Sequence, residues 1–426
     1  MTEGPPGTQL AEDTVSRIAI GVDSRNEELI AFRRRLHAEP ELSFKEVATT
    51  DALAERLQLA GLIPQILDSG TGLVCEIGSG GPVVALRADI DALAMPDAKT
   101  DVTYRSRNEG VAHACGHDVH TAVVLGAGLV LQDLAEVGQL PGRVRLVFEP
   151  GEESVPGGAV EVVESGWLND VAAVYALHCD PKKDVGRVGS RVGPITSASD
   201  WLEITLRGPG GHTARPHLTV DLVTVVAHVI TTLPSLLSDR LGGHDACRLV
   251  FGAVHAGAAA NVIPSSAFLT GSVRSRDRQT WERVRGELDA ALADALAGSS
   301  AQCEVNYVQG VPPVVNDAQA MHTMATAARQ LLGAQAVGET EHSWGGDSFG
   351  WMTNAAPGAY LRLGTHDPAD AERLDLHNSH FDVDERCIAI GAKTLAATAV
   401  LGLLAENGRG GRAPERTGGW AGLAEA

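Results

Sequence analysis

Several short segments of this chain carry residue types that bind metal ions or move protons. HACGHDVH holds His113, Cys115, His117, Asp118 and His120. ALRADID supplies Asp89 and Asp91, FEPGEE supplies Glu149, Glu152 and Glu153, ALHC supplies His178, and LDLHNSHFDVDE supplies His377 and His380. Thiolate, imidazole and carboxylate are the donors that zinc and its neighbours among the divalent ions prefer. One such cluster arises by chance. Several, most of them at the ends of regular elements, are hard to read as unrelated polar surface.

The elements that must position these groups follow from apolar patterning. PVVALRAD, RVRLVFEP and AAVYALHC are rich in Val, Leu and Ala. Such runs suit strands buried on both faces of a mixed or parallel sheet. They end at Asp89, just before Gly151-Glu152-Glu153, and beside His178, and in open α/β sheets ligands collect at the carboxyl ends of strands. SRNEELIAFRRRLH reads as an amphipathic helix capped by Ser24, with Glu27 completing the capping box. Residues 121–134 read as a helix between strands, and the same style resumes with a helix over 318–332, the strand AYLRLGTH and a helix over 387–404. The middle of the chain differs. WLEITLRG, a helix over 220–237, ACRLVFGAVH, AFLTGSVRS, a helix over 278–296 and QCEVNYVQG give the order β-α-β-β-α-β of a ferredoxin-like unit. The expected architecture is therefore α/β: a central mixed sheet flanked by helices, built from 1–195 and 312–426, with an α+β domain inserted at 196–311. The first dozen residues and the stretch 407–426, containing NGRGGRAPERTGG, read as loose ends.

Composition narrows the partners. Lys+Arg 34 against Asp+Glu 54 gives a net charge of -20, which repels phosphate backbones and anionic lipid and argues against nucleic acid or a membrane surface as partner. With 44% hydrophobic and 21% charged residues, the chain can bury a sizeable core without disulfides. Aromatics are only 4% while Gly reaches 48, which favours tight turns over a stacking surface. The six cysteines are spread without a C-x-x-C pair, so reduced thiols and a cytoplasmic location are expected. MTEGPPGTQLAED shows no signal-peptide pattern, and no run reaches the ~20 uninterrupted apolar residues of a bilayer span.

In order along the chain, RRRLHAEPELSFKE, ALRADIDALAM, HACGHDVHTAVVLGAG, VFEPGEESVPGGA, ALHCDP, GPGGHTARPH, NVIPSSAFLTGSVR, GGDSFGWM and LHNSHFDVDE run from residue 33 to residue 385. Together they resemble the M20 family of metallopeptidases and amidohydrolases, and within it the branch of hippurate hydrolases, N-acyl-amino-acid amidohydrolases and auxin-conjugate hydrolases. The resemblance implies a zinc-exopeptidase-like catalytic domain, a lid that also dimerises, and two divalent metal ions per chain. The ligands it implies are Cys115, His117, Glu153, His178 and His377, with Mn or Zn placed ahead of Co or Ni. The spacing is consistent, since Cys115 and His117 in an extended segment would face one side. Five protein ligands for two metals leave positions open for water and substrate, as a catalytic site requires.

The same resemblance makes Glu152 the general base, gives His212 the role of stabilising the oxyanion from the inserted domain, and places Asn261 and Arg274 at the carboxylate end of the substrate. The implied reaction is hydrolysis of the amide of an N-acyl amino acid or peptide-like conjugate by a homodimer joined through the inserted domain. A dipeptidase or carboxypeptidase of the same family, or a catalytically weak metal-binding paralogue, is the alternative. His113 and His120 are expected to support the site, Asp89 and Asp91 to orient ligands, Asp118 to bond a ligating imidazole, and His37 to be structural. His377 is preferred over His380 because the family ligand directly follows Leu. Three departures stand out. Relatives read Q-P-A-E-E where this chain has Glu149-Pro150-Gly151-Glu152-Glu153, and the added charge of Glu149 is expected to raise the pKa of Glu152. They read G-x-E-D-F where it has Gly346-Asp347-Ser348-Phe349, which touches substrate-side details. The superfamily H-x-D is Arg87-Ala88-Asp89 here, so residue 87 is no ligand.

Overall fold

The computed structural model describes residues 9–409. They form two compact units. The first takes residues up to 193, 316–341 and those from 351 on; the second takes 194–315 and 342–350.

The first unit is built on an eight-stranded sheet. Its strands in chain order are β1 (Gln65–Ile66), β2 (Leu73–Gly78), β3 (Val83–Asp89), β4 (Arg143–Glu149), β5 (Val171–Asp184), β6 (Val188–Ser190), β7 (Val337–Glu339) and β8 (Gly358–His366). Their spatial order is β1-β2-β4-β3-β5-β8-β6-β7. The centre is parallel, with β3 between β4 and β5, and β5 beside β8; β1–β2, β2–β4 and β6–β8 are antiparallel. Every residue of β3 is buried, as are nearly all of β4 and β8. A strand buried at consecutive positions has both faces covered, which is why these runs read as apolar without alternation.

Helices supply the cover. Glu12–Asp23, Asn26–Ala38, His117–Glu136, Ala318–Leu332 and Arg386–Gly408 bury Ile18, Leu29, Val123, Met324 and Leu395, among others, in one core with Val84, Leu86, Leu146 and Leu361. Two helix ends differ from expectation. Ser24 does not cap the second helix. It is the C-cap of the first, and its hydroxyl donates to Gly21 O at 2.9 Å, while the second helix starts after Arg25 without a side-chain cap. The helix expected from residue 121 begins at His117. At the chain ends, Glu12 and Asn407–Gly408 are helical and not loose; the remainder of the expected loose ends lies outside the described residues, apart from 9–11 and Arg409.

The second unit is built on a four-stranded antiparallel sheet, ordered Cys247–Ala256, Ser266–Ser275, Ser199–Arg207, Gln302–Val311. Helices Leu222–Arg240 and Arg278–Ala295 are capped by the carboxylates of Asp221 and Asp277. They pack on the sheet face carrying Leu202, Ile204, Leu249, Leu269 and Val273.

Three helices are long and apolar enough to cross a membrane by length and composition: His117–Glu136, Leu222–Arg240 and Arg386–Gly408. Polar residues interrupt each, so none is an unbroken apolar run. The apolar windows of the first and third are 83% and 78% buried inside the fold, and that of Leu222–Arg240 is 33% buried.

Candidate metal centre

The metal-type residues of the first unit gather where β3 and β4 end and around His178, which lies within β5, since that strand runs on to Asp184 and does not end beside His178 as expected. Cys115 lies in a bend, Gly116 adopts φ 87°, and His117 opens the helix. The two side chains are thus brought together by a left-handed turn at glycine, not by alternation along an extended segment. A left-handed residue is cheap only for glycine. A Cβ on Gly116 would also lie 2.7 Å from Cys179 Sγ. Glu152 and Glu153 follow Gly151, at φ 66°, in the turn after β4. His178 sits on β5 opposite Arg362, two registers before the shift that follows Gly364 in its parallel pairing with β8.

One ligand atom each from Cys115, His117 and Glu153 falls within a span of 4.8 Å. Cys115 Sγ is 3.9 Å from His178 Nε2, and His377 Nε2 is 3.4 Å from Glu153 Oε1. Glu152 Oε2 is 3.9 Å from His117 Nε2. The five expected ligands and the expected base therefore meet in one place. Both His377 and His380 are exposed, but His380 bonds locally, to Ser379 and Asn378.

Two details fit these groups to a cation. His117 Nε2 and Glu153 Oε1 are buried without a hydrogen-bond partner, 3.9 Å apart. Orphaned buried atoms of this kind are expensive, and a shared cation satisfies both. The ring orientations agree. His117 Nδ1 lies 3.0 Å from Asp91 O and 3.1 Å from Asp91 Oδ1, and His178 Nδ1 donates to Cys179 O at 2.8 Å, so each imidazole turns Nε2 inward. This pattern of an outer acceptor fixing the ligating nitrogen is usual at metal sites. Burial, with Arg362 and His120 nearby, holds the His178 pKa well below its ordinary value, which keeps the ring neutral.

A second trio, Asp89, His117 and His120, is also close enough to hold an ion, but the atoms of Asp89 and His120 are engaged. His120 Nδ1 donates to Asp89 Oδ1 at 2.6 Å and Nε2 accepts the Cys179 N–H at 2.9 Å. Asp89 Oδ2 accepts from Arg87 at 2.7 Å. Burial would raise the Asp89 pKa, yet Arg87, His117 and His120 hold it well below the usual carboxylate range. This group braces the loop instead.

Several supporting roles differ from expectation. Asp91, not Asp118, bonds the imidazole of His117. Asp118 Oδ2 instead takes Arg33 Nε at 2.6 Å and His37 Nδ1 at 2.7 Å. Arg33, wholly buried, also reaches Asp382 and Glu385. Its contribution had no signal in the sequence beyond a basic run on a helix. His113 is buried with neither ring nitrogen bonded, and burial pushes its pKa down to about 4. Glu149 does not act as an uncompensated charge: its Oε2 accepts from Arg87 Nε at 2.7 Å and its Oε1 from the Ala159 N–H at 2.8 Å. The reason given for a raised Glu152 pKa therefore falls away.

His212, Asn261 and Arg274 lie in the second unit. His212 pairs with Val262 in a two-residue ladder, and Thr213 N–H donates to Asn261 O at 3.2 Å, so His212 and Asn261 are neighbours. His212 Nδ1 accepts the Ala214 N–H at 3.0 Å, which in the neutral ring leaves the proton on Nε2 as a donor. Arg274 is on the Ser266–Ser275 strand. Asp347 and Ser348 are buried, with Asp347 Oδ1 accepting the Phe349 N–H at 2.9 Å.

Comparison with known proteins bears on this site. The family model described as peptidase family M20/M25/M40 matches residues 85–400. A Bacillus subtilis N-acetylcysteine deacetylase is 34% identical over 379 residues, covering 88% of this chain and 96% of the relative. A longer Rhodococcus jostii protein named as glutamate–cysteine ligase 2-3 is 43% identical over 370 residues, which are 87% of this chain but 46% of that one, so this chain spans about half its length. A Bacillus subtilis crystal structure, described as a dinuclear metal binding peptidase from the M20 family, superposes with a TM-score of 0.78 at 31% identity, covering 89% of this chain and 99% of that one.

Proposed function

Because this chain belongs to peptidase family M20/M25/M40, we propose that its donor cluster is the centre of a metal-dependent amidohydrolase acting on N-acyl amino acids. The observation that carries this reading is the pair of orphaned atoms, His117 Nε2 and Glu153 Oε1, facing each other beside Glu152. The deacetylase name of one relative and the dinuclear description of another support it.

Cys115, His117, Glu153, His178 and His377 would hold two divalent ions, Mn or Zn, for which a mixed sulfur, nitrogen and oxygen set is suited. Such ions supply a more acidic water and a polarised substrate carbonyl. The chain's own residues do the rest. Glu152 takes the proton of the attacking water and returns it to the leaving amine. Asp91 and the Cys179 carbonyl keep His117 and His178 in the required tautomers. His212, with its proton on Nε2, donates to the developing oxyanion. Asn261 and Arg274 hold the carboxylate of the substrate; a guanidinium matches a carboxylate bidentately.

We also propose a homodimer joined through the second unit. The Leu222–Arg240 helix is apolar yet only 33% buried, with Val223 exposed, which supports a further covered face there. All six cysteines are free and five are buried, which supports a reducing, cytoplasmic location.

The test is a hydrolysis screen. Protein stripped of metal and reloaded separately with Mn, Zn, Co or Ni is offered N-acetyl, N-benzoyl and longer N-acyl amino acids beside dipeptides, with Glu152→Ala as control. Metal-dependent release of free amino acid that disappears in the variant supports the reading. Release no faster than that of the variant on every substrate overturns it.

A further inference from the structure

We propose that Arg248 and Arg274, on one face of the second unit's sheet and backed by Trp344, form a two-guanidinium subsite, so that the enzyme selects N-acylated acidic amino acids. The inference rests on the amidohydrolase reading and narrows its substrate class.

The register places the two arginines. Arg248 and Arg274 are direct cross-strand partners on the Cys247–Ala256 and Ser266–Ser275 strands. Directly opposed residues point to the same face, with Cβ atoms about 4.5–5.5 Å apart. Like charges so placed repel, and a sheet tolerates them best where something anionic sits between. The opposite face of these strands carries the buried Leu249 and Val273, so both guanidiniums leave from the side that the helices do not cover.

The 342–350 segment of the same unit organises both heads. The Arg248 guanidinium carbon stands 3.8 Å from the centroid of the Trp344 ring. His342 braces that indole edge-on, at 5.2 Å and 81°, and Arg248 Nε donates to His244 O at 3.2 Å. Two residues on, Gly346 runs close to Arg274: a Cβ there would lie 3.5 Å from Arg274 Nη1 and 2.9 Å from Ser199 Cβ. A long flexible arginine held over an aromatic face is pre-organised, at little further entropy cost on binding.

Neither guanidinium has an acid to answer it. Among the described residues, no carboxylate lies within ion-pair distance of Arg248 or Arg274. Burial lowers the Arg274 pKa, opposed by the field of Asp200. Asp200 itself is committed elsewhere, to Trp281 Nε1 at 2.9 Å, the Gly310 N–H at 2.8 Å and the Tyr307 hydroxyl. A half-buried cation beside an exposed one, neither with a carboxylate in ion-pair distance, is the complement of a dianion. With Arg274 on the α-carboxylate, the adjacent Arg248 is in reach of the amino-acid side chain, on the leaving-amine side of the scissile bond. A side-chain carboxylate, as in glutamate or aspartate, meets it.

The experiment compares N-acetyl-L-glutamate with its neutral isostere N-acetyl-L-glutamine on the metal-loaded enzyme. The expected kcat/KM ratio favours glutamate by about tenfold or more, the size of one charge-assisted contact. Arg248→Ala brings that ratio close to unity, Arg248→Lys restores part of it, and Trp344→Leu lowers it. A wild-type ratio at or below unity, or an Arg248→Ala variant that slows both substrates equally, overturns the proposal. Calorimetric binding of the same two compounds reads the subsite without turnover. Tighter binding of the glutamate compound, lost in Arg248→Ala, sustains the subsite even if no N-acyl amino acid is hydrolysed, an outcome that removes the amidohydrolase reading alone. Equal binding of both compounds removes the subsite.

Discussion

Asp91 ties the two halves of the candidate metal centre together through His117. Its Oδ1 lies 3.1 Å from His117 Nδ1, while its Oδ2 accepts the Glu153 N–H at 2.9 Å and the Ser43 hydroxyl at 2.7 Å. One buried carboxylate thus sets the tautomer of one proposed ligand and the backbone position of another. Asp91→Asn must turn an amide NH2 toward one of these partners, and at Oδ2 that partner is itself a donor. The expected result is a folded protein with metal affinity reduced about 10–100-fold. Calorimetric metal titration, with circular dichroism as the check on folding, measures it.

Metal removal should cost stability in proportion to binding. A ligand present at a hundred times its Kd stabilises the native state by about 2.7 kcal/mol. Added Mn or Zn is expected to raise the Tm of the wild-type chain, and a chelator to lower it. His117→Ala and Glu153→Ala should show neither response, because the orphaned atoms that call for a cation are gone. A variant Tm that still follows the metal would place the ion elsewhere.

Much of this was legible in sequence because chemistry and patterning coincide at strand ends. The run of buried positions in β3 and β4 can be read from VVALRAD and RVRLVFE, and Asp317 caps the 318–332 helix where the pattern starts. What sequence spacing could not supply was geometry that depends on one backbone angle or on distant pairing. The approach of Cys115 to His117 depends on φ at Gly116. The choice of Asp91 over Asp118 as partner of His117 depends on where β3 ends relative to the helix, and Arg33 lies 85 residues before the Asp118 it neutralises. The Gly346-Asp347-Ser348 segment belongs to the second unit, which no local pattern announced.

Arg33 carries a prediction about stability. Its side chain is fully buried and meets Asp118 at 2.6 Å, Asp382 at 2.8 Å and Glu385 at 3.3 Å. Burial alone would lower its pKa, but Asp118 and Asp382, with Tyr104, raise it well above the ordinary value. Arg33→Ala strands the buried Asp118 carboxylate with His37 alone, and removing one partner of such a pair costs about 3–5 kcal/mol. Arg34→Ala removes an exposed partner of the same Glu385 and should cost about 1 kcal/mol or less. Denaturant midpoints of the two variants test the contrast; equal losses would mean that Arg33 acts through packing and not through its charge.

Gly116 is the position where fold and site separate most sharply. At φ 87° an alanine pays the left-handed penalty of about 1–2 kcal/mol. Its methyl would also stand 2.7 Å from Cys179 Sγ and 3.0 Å from Cys179 Cβ, beside the residue whose N–H fixes His120 and whose carbonyl fixes His178. Gly116→Ala should therefore displace the Cys115–His117 turn and both histidine supports, with metal binding lost at a stability cost the whole fold survives. Gly286→Ala is the control. It lies within the Arg278–Ala295 helix with nothing within 4 Å of the added carbon, and should stabilise by about 0.5–1 kcal/mol. Metal content by mass spectrometry and urea midpoints together distinguish the cases. A Gly116→Ala protein that retains full metal would show that the turn does not set the ligand geometry.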